Sequence, residues 1–164
     1  MTAAIRPRRR PLGAVNRRLL AEALPALVLA SLAVKLAPFR RVAVWARGRE
    51  GQAGTAMDEA TLRKVRWAVE AWARRVPWRT VCFQKGLALH WMLRRRGVGS
   101  VLHYGVAQEA GAILKAHVWV TVAGVPVIGG EAAAGFACLA TFPPQQLSGS
   151  SRPDSKTLSE GDFS

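Results

Sequence analysis

Two residue types in this chain can do nucleophilic chemistry at neutral pH, and each is scarce. There are two cysteines, Cys82 and Cys138, and three histidines, His90, His103 and His117. Cys82 follows Pro77-Trp78-Arg79-Thr80-Val81 and opens the run Phe83-Gln84-Lys85-Gly86-Leu87-Ala88-Leu89, whose apolar spacing is helical and which Gly97 ends after three arginines. A cysteine in the first helical turn, with Thr80 as the expected cap, meets unpaired N–H groups and the positive end of the helix dipole. Both favour the thiolate, and the same N–H groups can hold a developing oxyanion. His117 lies in Lys115–Val122, a strand by its alternation, on one face with Trp119 and Thr121. An imidazole that takes the thiol proton, and a thiolate that attacks a carbonyl, is the chemistry such a pair performs.

The remaining candidates are weaker. His90 is eight residues beyond Cys82 on one helix, two turns away and out of reach. His103, in the strand Ser100–Val106, is the runner-up base. Cys138, among Phe136, Ala137, Leu139 and Ala140, reads as an inert core thiol. Gln84 and Phe83 are oxyanion or substrate candidates beside Cys82. Trp119 shields the imidazole, contacts substrate or simply fills core. Bland readings of the pair itself stand too: a free cysteine serves as a small hydrophobe, and a strand histidine packs like any other residue. Few acids accompany the histidines, so no metal site or other cofactor is expected.

The elements that must position these groups follow from composition. The chain has 164 residues, 24 Lys+Arg and 10 Asp+Glu, hence a net charge of +14. One domain with tails is expected, and two cysteines exclude a disulfide framework. The boundaries expected are a basic arm over 1–18, a single domain over 19–147 opening with a helical segment 19–47, and a disordered polar tail over 148–164. Six arginines precede the first acid, Glu22. No aromatic residue interleaves them, so nucleic acid is not the expected partner. The uninterrupted apolar run Pro25–Val34 is shorter than the ~20 residues of a bilayer span, so membrane association is not expected and the location expected is cytoplasmic. Leu20, Leu24, Leu27, Ala30 and Val34 predict a buried helix face, with Pro25 in its first turn or at a kink. A glycine-rich linker at 48–56 precedes a second helix from about Met57 to Arg75. After Ser100–Val106 and Lys115–Val122, Ala123-Gly124 is a turn and Val125–Ile128 a third strand. The fold class is therefore α+β: N-terminal helices, the Cys82 helix and a small antiparallel sheet. That is the layout of papain-like thiol hydrolases.

The segments PWRTVCFQKGLALHWMLRRRGVGSVLHYGVA, AHVWVTVAGVPVIGGE and FACLATFPP, with RRLLAEALPALVLASLAVKLAPFRR upstream, carry a resemblance over about residues 17–143. The chain resembles the lasso peptide biosynthesis B proteins, leader peptidases with a bacterial transglutaminase-like fold. The resemblance implies that Cys82 is the nucleophile and His117 its base, in an enzyme that removes the leader from a ribosomally made precursor peptide. It implies two partners. One is a small PqqD-like leader-recognition protein, expected on a separate chain because too little sequence precedes the second helix here. The other is an ATP-dependent cyclase of the asparagine-synthetase type. The family's third catalytic member is an Asp on the strand after the histidine, and here that stretch reads Val125-Pro126-Val127-Ile128-Gly129-Gly130-Glu131. A two-residue loop at Ala123-Gly124 sets Gly130 opposite His117. A bulge at Gly129-Gly130, or a three-residue loop, sets Glu131 there. So Glu131 is one candidate to orient His117, and a backbone group in a Cys–His dyad is the other. Two further function classes stay open: acyl transfer to an amine, and a non-catalytic membrane- or partner-binding protein.

Overall fold

A computed structural model describes residues 13–47, 57–109 and 113–144. The arm before residue 13, the linker and the polar tail expected at 148–164 lie outside the described residues. In chain order the elements are α1 (Ala14–Leu36), α2 (Phe39–Arg47), α3 (Glu59–Ala73), α4 (Cys82–Arg94), β1 (Ser100–Glu109), β2 (Ile113–Val122), β3 (Val125–Ile128), a 3₁₀ helix (Gly130–Gly135) and β4 (Ala137–Phe142). The strands form one antiparallel sheet in the order β3-β2-β1-β4. The class is α+β, as the residue pattern indicated.

The N-terminal helical segment differs from the expectation in two ways: it starts at Ala14, inside the arm, and it is two helices, because Pro38 follows the break after Leu36. Pro25 sits inside α1, beyond its first turn. Pro25 is exposed, on the solvent side of the helix. The buried stripe of α1 runs through Leu19, Ala23, Leu27, Ala30 and Ala33, one position off the expected face in places. By length and composition α1 is the one helix among the described residues apolar enough to cross a membrane. Its buried side packs on α3 and α4, while Leu29, Leu32 and Leu36 are exposed. Polar ties fix that packing: Trp72 Nε1 donates to the Leu20 carbonyl at 2.8 Å, Trp78 Nε1 to Ser31 Oγ at 3.1 Å, and Arg96 grips the Glu22 carboxylate with both terminal nitrogens.

α3 begins where Asp58 caps it, its carboxylate accepting from the Thr61 N–H at 2.8 Å. α4 ends after Arg94, with Gly97 at φ +72° in the left-handed region that halts a helix. α4 lies on the sheet face formed by Leu102, Tyr104, Val118 and Val120, which register pairs across β1 and β2. Gly86 makes this crossing possible: a Cβ there would stand 2.9 Å from Val118 Cγ1. Ala123 (φ +49°) and Gly124 (φ +79°) form the tight turn between β2 and β3.

His90 is buried in this core and fully partnered. Its Nε2 donates to the Ala46 carbonyl at 2.9 Å, so Nδ1 is bare and accepts from the Ser100 hydroxyl at 2.9 Å. The neutral ring joins α2, α4 and β1, and burial lowers its pKa to about 4. Above pH 6.5 the ring is neutral both folded and unfolded, and its contribution is complete. As pH falls from 6.5 towards 4 the unfolded chain takes up a proton that the folded chain refuses, so stability is lost. The loss is about 3 kcal/mol by pH 4. Urea unfolding at pH 7 and pH 4 will show that decline in the native protein. His90→Gln, which keeps a donor and an acceptor but cannot charge, will show a markedly smaller one.

Candidate active site

Cys82 is the first residue of α4, as the sequence suggested, but the local chemistry differs. Val81 occupies the cap position, and Thr80 turns away to donate to the Ala73 carbonyl at 3.2 Å. Gln84 replaces it: its side-chain oxygen accepts the Val81 N–H at 3.0 Å. Buried Gln84 thus stiffens the turn that carries Cys82, and only its amide nitrogen remains as a donor. The half-buried thiol sits on the first turn, whose N–H groups have no acceptor within the helix itself.

Cys82 lines a cleft of about 310 Å³. Val81 and Phe83 flank it on α4, Tyr104, Ala116 and Val118 come from the sheet, and Val34, Ala37 and Val42 come from the α1–α2 elbow. Phe83 meets Tyr104 edge to face, with ring centroids 6.4 Å apart. Phe83 therefore forms apolar wall beside the thiol.

His117 lies in β2 between Ala116 and Val118, which both face that cleft. The pleat turns the His117 side chain to the opposite face of the strand. There its Nε2 donates to the Gly129 carbonyl at 2.7 Å. A ring that donates from Nε2 presents a bare Nδ1 when neutral, and that nitrogen is the basic one. Among the described residues no hydrogen bond joins His117 to the Cys82 thiol.

Glu131 does not take the orienting position expected for it. It pairs with Arg66 at 2.7 Å, on the protein surface, with its side chain 68% exposed. The register explains why. Val122 pairs with Val125 and Thr121 with Pro126, then a bulge shifts the pairing so that Val120 meets Ile128. β3 ends there, and Gly129 at φ +75° turns the chain into the 3₁₀ helix before any residue comes opposite His117. The carbonyl of Gly129 reaches the ring instead. A hydrogen bond from its own backbone N–H and the Arg66 guanidinium hold the Glu131 carboxyl below its usual range.

The opposite face of the sheet gathers the other candidates. Trp119 lies between two imidazoles, stacked on His103 with centroids 5.1 Å apart and 6.1 Å from His117. Phe136 stands 5.0 Å from His117 on its other flank. His103 uses both nitrogens here: Nε2 meets Thr121 Oγ1 at 2.9 Å and Nδ1 lies 3.9 Å from Cys138 Sγ. Burial lowers its pKa. It lies on the His117 face of the sheet, with Trp119 between the two rings. Cys138 is half-buried on this face beside His103, where the sequence suggested a core thiol, and burial pushes its pKa up. Among the described residues no cluster of His, Cys, Asp or Glu can hold a metal ion.

A backbone group was open as the partner of His117, but the Gly129 carbonyl was not singled out, and Tyr104 and the α1–α2 elbow were missed. The Gly129-Gly130 pair was the available signal for the first, as a bend near His117. An apolar elbow carries no mark that separates cleft wall from core.

The His117 arrangement has a spectroscopic consequence. Nitrogen-15 NMR of the neutral ring will find the proton on Nε2, and Glu131→Gln will leave that tautomer unchanged. Gly129→Ala, which sets a Cβ 2.6 Å from the Val118 carbonyl at a positive φ, will destabilise the fold by about 1–3 kcal/mol and disturb the ring's resonances.

The described residues thus hold a helix-borne thiol at a cleft and, on the reverse face of the sheet, a strand-borne imidazole held through Nε2. No curated protein and no solved structure matches the chain. The family model of the transglutaminase-like superfamily matches residues 26–141, from α1 to β4 and so across both Cys82 and His117. The chain belongs to the transglutaminase-like superfamily.

Proposed function

We propose that this protein is a cysteine endopeptidase that removes the leader from a ribosomally made precursor during lasso peptide maturation. The observation that carries the reading is the His117 Nε2 bond to the Gly129 carbonyl, which leaves a basic Nδ1 on the strand whose neighbouring residues wall the Cys82 cleft. The resemblance of the Cys82 helix and the Ala116-His117-Val118-Trp119 strand to the lasso peptide biosynthesis B proteins narrows superfamily chemistry to this substrate class.

In the mechanism, His117 Nδ1 accepts the Cys82 thiol proton and the thiolate attacks the scissile carbonyl. N–H groups at the start of α4, with the amide nitrogen of Gln84, steady the oxyanion. The imidazolium returns its proton to the leaving amine, and water, deprotonated by His117, releases the acyl group. The Gly129 carbonyl holds the ring throughout as acceptor for Nε2–H, the role that an acid fills in the family pattern. Because His117 leaves β2 on the face opposite the Cys82 cleft, the encounter requires a rearrangement of β2 against the first turn of α4. Docking of the precursor, presented by a separate PqqD-like recognition protein, supplies it. An ATP-dependent cyclase of the asparagine-synthetase type then consumes the freed amine. The reading places the enzyme in the cytoplasm, where precursor and ATP are found.

The test is mass spectrometry of a cognate precursor incubated with this protein, the recognition protein and the cyclase. The native chain will cut one bond, Cys82→Ala will cut none, and His117→Ala will lose a hundredfold or more in rate. Glu131→Gln will retain cleavage. Equal cleavage by native protein and Cys82→Ala, or intact precursor in every arm, would overturn the reading. An amide product with an added amine would assign acyl transfer in its place.

A further inference from the structure

The Cys82 cleft is apolar to a degree that a site acting on any backbone does not require. All eight residues that form it with Cys82 are hydrocarbon or aromatic, and three of these, Val34, Ala37 and Val42, come from the α1–α2 elbow, outside the α4–sheet unit. Val81, at its edge, is 45% exposed. Apolar surface held open to water beside a helix-terminal thiol is costly and is covered when a ligand fills it. A cleft of about 310 Å³ is at the small end of ligand sites and suits one large side chain with some backbone.

The residues that flank the wall along the chain are basic. Lys35 precedes Ala37, Arg40 and Arg41 precede Val42, and Arg79 precedes Val81, and all four side chains are exposed. None of them makes an ion pair among the described residues. No acid occurs in 34–42, 79–83 or 115–118, the segments that supply most of the wall.

We infer that the Cys82 cleft is a selectivity pocket for one bulky apolar side chain, carried within two residues on the acyl side of the attacked carbonyl by an acidic peptide, and that the α1–α2 elbow sets its size. The inference rests on the proposed thiol chemistry and names its substrate class. Leu or Phe fills the pocket, Gly leaves it wet, and Asp or Lys must bury a charge there. Carboxylates on neighbouring residues meet the basic rim.

Peptidyl chloromethyl ketones test this without knowledge of the precursor. The Cys82 sulfur forms a bond to the probe's methylene carbon, chloride leaves with the electrons of the broken C–Cl bond, and the thiol proton passes to base. Two series, acetyl-X-Gly and acetyl-Gly-X, each with X as Gly, Asp, Lys, Leu or Phe, are compared by peptide mass spectrometry, which separates Cys82 from Cys138. Each rate is divided by the Cys82 rate with iodoacetamide, so changes in thiol reactivity cancel. In one series Leu and Phe will exceed Gly, Asp and Lys tenfold or more. Ala37→Phe and Ala116→Phe, which add bulk at an elbow position and at an exposed sheet position, will each reduce the Phe ratio at least tenfold. Two added glutamates upstream will label faster than two lysines, and about 0.5 M salt will close that gap. A flat series, or a preference unchanged in both variants, would overturn the pocket. If the panel is flat while Cys82→Ala abolishes precursor cleavage, the pocket fails and the peptidase stands. If the preference holds while no precursor is cut, the peptidase reading fails and the pocket stands.

Discussion

No side chain fits at position 86, and much of the molecule depends on that. α4 crosses β2 so closely that Val118 Cγ1 would lie 2.9 Å from a Cβ, and Val120 Cγ2 3.7 Å away. The hydrogen at Gly86 lets helix and strand touch through backbone and two valines. That contact sets the depth of α4 in the sheet and so the position of its first residue, Cys82. It also brings Tyr104, Ala116 and Val118 up to the thiol as wall. Moving the helix outward by one methyl group would reopen the buried layer of Leu87, Leu89, Met92 and Leu93.

A second contact of this kind lies on the other side of the sheet. Gly105 pairs across from His117, and a Cβ there would stand 2.9 Å from the Trp119 ring. The space left at Gly105 admits the indole, and the indole separates the two imidazoles of His103 and His117. The sheet therefore presents a hydrocarbon face to α4 and an aromatic, imidazole-bearing face on its reverse, and one strand supplies both. Alternation along Ala116, His117, Val118 and Trp119 suffices for this, since each residue serves the face its parity selects.

That parity also marks what the sequence could and could not convey. The helix at Cys82, its stop at Gly97 and the strands around Ala123-Gly124 were legible because local rules govern them: apolar spacing, a left-handed glycine, a two-residue turn. So was the shared face of His117 and Trp119. The break at Pro38 was blurred by apolar residues on both of its sides. Thr80 looked like the cap, yet its hydroxyl found the Ala73 carbonyl, a partner fixed by how α3 ends and not by neighbours in sequence. Glu131 was the natural guess for a partner to His117, since it was the nearest acid. The chain instead leaves the strand at Gly129, whose carbonyl takes the position and leaves Glu131 to Arg66.

The Gly129 contact changes what kind of information keeps an imidazole in place. A carboxylate partner is encoded by a functional group, and its loss is recorded as a missing acid. A main-chain carbonyl is present whatever the residue, so here the requirement falls on a dihedral angle, φ +75°, and on the empty space beside the Val118 carbonyl. Comparisons that align acids with acids will score this chain as lacking a member of its site. The requirement is inherited as a shape, written in the one residue that has no side chain to read.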